Sequence, residues 1–194
     1  VTWRRWAIAW CLLPAAVAAQ PKPDADWPCV QRYVPEIGAA ALWPEVPGGD
    51  WQGVPEVAAL VGRIAPRPVE AEQGVAAIRD FSAPLDAAAR RRLLPLAFLG
   101  LMDETNRQRD GVIDQIRRFA RRQRDLAERV RALEAELRTA PAATHDELER
   151  RRFFAAKTYG DAERTLHYAC EVPVRLEGRL GAYARALQAA MPQD

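Results

Sequence analysis

The chain has 194 residues, 49% of them hydrophobic and 28% charged, with 28 basic against 26 acidic side chains. It contains one serine, Ser82, and two histidines, His145 and His167, which leaves no material for a serine-histidine triad. No Gly-rich phosphate loop, His-x-x-x-His or Gly-x-Ser-x-Gly occurs, so composition points away from an enzyme and supplies no cofactor motif.

The first element is an export signal over residues 1–19. Arg4 and Arg5 precede an uncharged run from Trp6 to Ala18, and Ala16-Val17-Ala18 and Val17-Ala18-Ala19 both fit a small-x-small cleavage rule. The run falls short of the roughly 20 residues a spanning helix needs. A cleaved secretory signal is therefore expected, with an uncleaved N-terminal anchor as the alternative. The expected location is periplasmic or secreted, in a Gram-negative-type bacterium. Lys22 and Lys157 are the only lysines, a bias typical of high-GC genomes rather than of a binding function.

Removing the signal changes the rest. Without Arg4 and Arg5, 26 basic residues face 26 acidic ones, and the charge argument for nucleic acid disappears. Cys11 goes with the signal and leaves Cys29 and Cys170, which an oxidising compartment would pair. Such a bridge would constrain the unfolded chain by about 4–5 kcal/mol. The alternative is two buried thiols. No Cys-x-x-Cys supports a metal site.

Residues 20–85 form an irregular N-terminal part with 5 basic and 9 acidic side chains. Pro28 and Pro35 predict an extended stretch, and Gly48-Gly49-Asp50 a turn. Pro55 fits the first turn of a short helix running to about Ile64, with Val57, Leu60, Val61 and Ile64 on one face. A second short helix is expected from Val69 to Phe81, using Val75, Ile78 and Phe81, and separated from the first by Pro66 and Pro68. Ser82 is expected to start the next helix. Trp27 reads as a core cap, whereas Trp51, in a loop beside Asp50, reads as a partner contact.

Residues 86–188 carry 21 basic and 16 acidic side chains, so the two parts have opposite charge and the first is expected to lie on the second. Val112, Ile116, Phe119, Gln123, Leu126, Val130, Leu133 and Leu137 alternate spacings of four and three, which is a heptad seam. Thr139 to Thr144 interrupts it at Pro141. Leu148, Arg152, Ala155, Tyr159, Ala162, Leu166, Ala169, Pro173, Leu176, Leu180, Tyr183 and Leu187 then repeat the alternation. Two matched heptad helices with a short polar loop make an antiparallel hairpin. The first helix should begin near Asp86, with bends at Pro95 and Pro173. Placing Leu137 opposite Leu148 puts Ile116 near Ala169 and Cys170.

The expected fold is all-α and forms one domain: a long coiled-coil-like hairpin, with short helices and a disulfide-pinned extended segment packed at its base. Arg117, Arg118, Arg121, Arg122 and Arg124 avoid the seam and form a basic outer face. That face would meet an acidic envelope protein, or else anionic lipid headgroups or lipopolysaccharide phosphates. A solvated face balanced by neighbouring acids explains the same pattern. Glu163, His167 and Glu171 share a helix face at spacings of four and would suit a metal, but ordinary surface pairs have that spacing too, and no metal is assigned. The functional expectation is an exported, non-enzymatic accessory or adaptor protein that binds a protein partner through its hairpin. A periplasmic holdase-type chaperone is the alternative, and heptad helices also allow a homo-oligomer.

Overall fold

The computed structural model describes residues 26–45 and 48–192. The expected signal, residues 1–19, lies outside them. A 3-10 turn at Ala39–Ala41 is followed by α1 (Pro55–Ile64), α2 (Ala71–Ser82), α3 (Ala87–Leu137) and α4 (Ala142–Ala189). The fold is all-α. Helices α3 and α4 pack along each other as an antiparallel hairpin, with α1 against α3 and α2 against α4 at the open end. At 1.5 Å per residue each long helix extends about 75 Å.

Local chemistry sets the helix boundaries. Pro55 occupies the first turn of α1, where its missing N–H costs nothing, and Val57, Leu60, Val61 and Ile64 are all buried. Helix α2 starts two residues later than the spacing implied. The carbonyls of Ala65, Pro66 and Val69 turn toward the buried guanidinium of Arg179, at 2.7, 2.8 and 3.1 Å, and the first carbonyl to accept along α2 is that of Glu70, from the Gly74 N–H at 3.1 Å. Ser82 ends α2 instead of starting α3, because its Oγ donates back to the carbonyls of Ile78 and Arg79. The cap of α3 is Asp86, whose Oδ1 accepts from the Ala89 N–H at 2.8 Å. Neither Pro95 nor Pro173 ends its helix, and both are buried.

Every position of the two seams is buried or half-buried, from Val112 to Leu137 and from Leu148 to Leu187. The interior is divided into storeys. At the base, Val57, Ile64, Ile78, Phe98, Leu180 and Leu187 belong to one apolar cluster, with Trp43 stacked on Phe98 at 4.9 Å. Further along the hairpin, Val112, Ile116, Ala120 and Leu166 form a second cluster beside Trp27, Cys29, Ala169 and Cys170. Ile116, Ala169 and Cys170 meet in this cluster, as expected.

Between the clusters lies a polar layer of buried Thr105, Asn106 and Arg109. Asn106 accepts from the Ile37 N–H at 3.0 Å and donates to the Ile37 carbonyl at 3.2 Å. Arg109 donates to the carbonyls of Val34 at 2.9 Å and Pro35 at 3.4 Å. This layer binds the extended segment 26–37 as a strap along the hairpin.

The Cys29–Cys170 disulfide is present, with its Cα atoms 5.6 Å apart. As expected, it pins the extended N-terminal segment to the base half of the hairpin, closing the strap onto the second cluster. Cys170 stands about 28 Å from the C-terminal end of α4, one storey above the short helices.

Candidate functional site

The arginine run on α3 divides into two groups. Arg121 and Arg124 grip the Asp26 carboxylate at 3.0 and 2.5 Å. Hydrogen bonds from Arg124 and then Arg121 hold that carboxyl below its ordinary range. Arg117 lies over the Tyr33 ring, 4.8 Å from its centroid, and within 3.7 Å of Asp114. These three side chains fasten the strap. Arg118 and Arg122 are exposed, and Arg122 borders the groove between α3 and α4. The basic face presented outward is therefore narrower than the sequence suggests.

Trp51 is also engaged within the protein. Its indole N–H donates to Asp103 at 2.9 Å. Its ring lies so close to α3 that a Cβ at Gly100 would come within 2.8 Å of it.

A groove of about 610 Å3 flanks the disulfide, bordered by Val30, Gln31, Glu163, His167, Glu171 and Val174. His167 approaches Glu171 at 3.7 Å, but its side chain is 76% exposed. Arg175 holds the same carboxylate at 3.1 Å. Among the described residues no three His, Cys, Asp or Glu side chains are placed to hold a metal ion.

The distal half of the hairpin is different. Beyond Leu126, the seam residues of α3 are half-buried and depend on α4 alone for cover. On α4, Phe153 and Phe154 are 60% and 62% exposed, with their rings edge-to-face at 5.5 Å. Two neighbouring phenylalanines in water are an unusual arrangement for a polar helix surface, since each ring carries an apolar area that normally drives burial. The heptad pattern puts them there. Arg152 and Ala155 take the seam positions, so residues 153 and 154 must face outward. The seam itself does not mark them; the signal in the sequence is two adjacent aromatic residues off the seam.

Phe154 separates two depressions. One, of about 550 Å3, is shared with Phe153 and bordered by Asp146, Glu149 and Arg152. The other, of about 440 Å3, lies between the helices and is bordered by Leu126, Arg129, Ala155 and Thr158. Beside it Glu147 pairs with Arg150 and, at 3.0 Å, with Arg151. Hydrogen bonds from Arg150 and then Arg151 hold its carboxyl below the usual value. A further hollow of about 230 Å3 continues the inter-helical groove through Phe119, Arg122, Ala162 and Thr165, sharing Leu126 and Thr158. The arrangement offers apolar anchor points framed by arginines. It suits binding.

Among the described residues no helix is long and apolar enough to cross a membrane. Compared with known protein families, curated proteins and solved structures, the chain matches none.

Proposed function

We propose that this is an exported, non-enzymatic adaptor that binds a protein partner through the distal half of its helical hairpin. The observation that carries the reading is the exposed Phe153–Phe154 pair on a hairpin arm that extends beyond its supporting core. Aromatic side chains, phenylalanine among them, and arginine are enriched at protein interfaces. The base, held by the short helices and the disulfide-closed strap, serves as a rigid mount. A disulfide fits an oxidising compartment, and so supports export. Binding to anionic lipid through the arginine run has less support, because Arg117, Arg121 and Arg124 are already engaged.

Replacing Phe153 and Phe154 together by serine tests the reading. Both side chains are exposed, so thermal stability should stay within a few degrees of the parent. Affinity for the partner captured by envelope cross-linking should fall by about a hundredfold. Undiminished capture of the same partner would overturn the reading. Capture of many weak clients in place of one stoichiometric partner would replace the adaptor with a holdase chaperone.

A further inference from the structure

We infer that the groove between α3 and α4 in the distal hairpin is the seat for one amphipathic, acidic-flanked helix of a partner protein. The inference rests on the adaptor reading and specifies what the hairpin would recognise. The groove runs along α4 from Glu147 to Thr165. That is about 27 Å, the length of a five-turn helix. Its floor repeats every seven residues, with Phe119 and Leu126 on α3 and Ala155 and Ala162 on α4. Small side chains along α4 leave its surface low, so a third helix can approach closely and add its own heptad residues to the seam.

Charge selects the occupant. On the α3 rim stand Arg122 and Arg129, seven residues apart, and neither pairs with a described carboxylate. On the α4 rim the acids are already neutralised: Glu147 by Arg150 and Arg151, and Asp161 by Arg164. Both borders are therefore basic or balanced. A second copy laid antiparallel, groove to groove, would oppose arginine to arginine, and one laid parallel would offer Arg122 and Arg129 only carboxylates that are already paired. A helix with carboxylates two turns apart along one flank would instead pair with Arg122 and Arg129 while its apolar face fills the floor.

The test uses the full chain and two synthetic 21-residue helical peptides with the same Leu/Ala seam. One carries Glu at the two flanking positions, the other Lys. Fluorescence anisotropy should show the Glu peptide binding more tightly by at least roughly tenfold. The double variant Arg122→Glu, Arg129→Glu should reverse the order. Thr158→Trp, at an exposed position in mid-groove, should abolish binding of both peptides with helicity unchanged. Equal affinities, no binding of either peptide, or indifference to the swap would overturn the inference. A photo-crosslinker at position 153 that captures a partner in cells while one at position 158 captures none would also overturn it, yet leave the adaptor reading standing. Failure at both positions would count against both. Sedimentation showing a dimer that Thr158→Trp dissolves would assign the groove to a second copy instead.

Discussion

Arg109 on α3 reaches Glu177 on α4 with both Nε and Nη2 directed at one carboxylate oxygen, at 3.0 and 2.9 Å. The two ends of this pair are unequal in burial: the arginine side chain is 2% exposed and the glutamate 44%. The guanidinium also donates to the strap carbonyls of Val34 and Pro35, so one buried cation joins both long helices and the N-terminal segment. Removing either partner has different consequences. Glu177→Ala leaves a buried cation with carbonyls alone and should destabilise by about 3 kcal/mol. Arg109→Met leaves a carboxylate that water can reach and an apolar chain of similar length, and should cost about 1–2 kcal/mol. Urea unfolding of the two variants should show that order, and the reverse order would contradict it.

Two glycines in helix interiors should respond oppositely to alanine. At Gly74 a Cβ would lie 2.2 Å from the Tyr183 hydroxyl, which itself donates to the Ile64 carbonyl at 3.2 Å. Nothing lies within 4 Å of a Cβ at Gly178. Gly178→Ala should therefore gain the helix preference of alanine, about 0.5–1 kcal/mol. Gly74→Ala should lose about 2 kcal/mol, because Tyr183 is wedged in the base core and must shift. Thermal unfolding of the single variants reads both signs.

The disulfide closes a separation of 141 residues, which the chain-entropy model values at about 5 kcal/mol. The strap has other attachments: Asn106 to Ile37, Arg109 to Val34, and Gln31 to the Cys170 carbonyl. Replacing Cys29 and Cys170 by serine should lower the urea midpoint substantially while circular dichroism in native buffer stays helical. An unchanged midpoint, or helix loss without denaturant, would contradict the division of labour between bridge and polar layer.

The architecture was largely legible in the sequence, and the reasons are specific. An apolar alternation of three and four from Val112 to Leu137, broken only by Gln123, has few realisations other than a helix seam, and its repeat after Pro141 implies the hairpin. The two cysteines outside the expected signal, Cys29 and Cys170, implied the strap. The polar layer was not legible, because Thr105, Asn106 and Arg109 look like a gap in the apolar pattern, and the strap partners of Asn106 and Arg109 are backbone groups about 70 residues away. The arginine run was legible as a patch but not as two functions. Which residues face Asp26 and Tyr33 depends on the path of the strap, and no local spacing encodes that path. The exposed phenylalanines were readable from the heptad frame once position 153 was recognised as lying off the seam.

Asp26 provides a pH test of that path. Its carboxyl is held below the ordinary value of 3.8 by Arg124 and Arg121. A depressed folded-state pKa contributes stability that is present above the unfolded value and lost as pH falls through the folded one. The parent should therefore exceed Asp26→Asn in stability at neutral pH, and the gap should close below about pH 3.8. A gap that persists unchanged in acid would show that the Asp26 contacts are not the source.

The central claim, that the distal hairpin is a protein-binding arm, is tested most directly by a photo-crosslinking residue at position 153 in the full chain, expressed in its own cell. One discrete adduct should form, identifiable as a single protein, and should disappear when Phe154 is replaced by serine. The same residue placed at position 107, an exposed site on α3 near the base, should give no such adduct. Equal labelling at both positions, or no adduct at 153, would contradict the account.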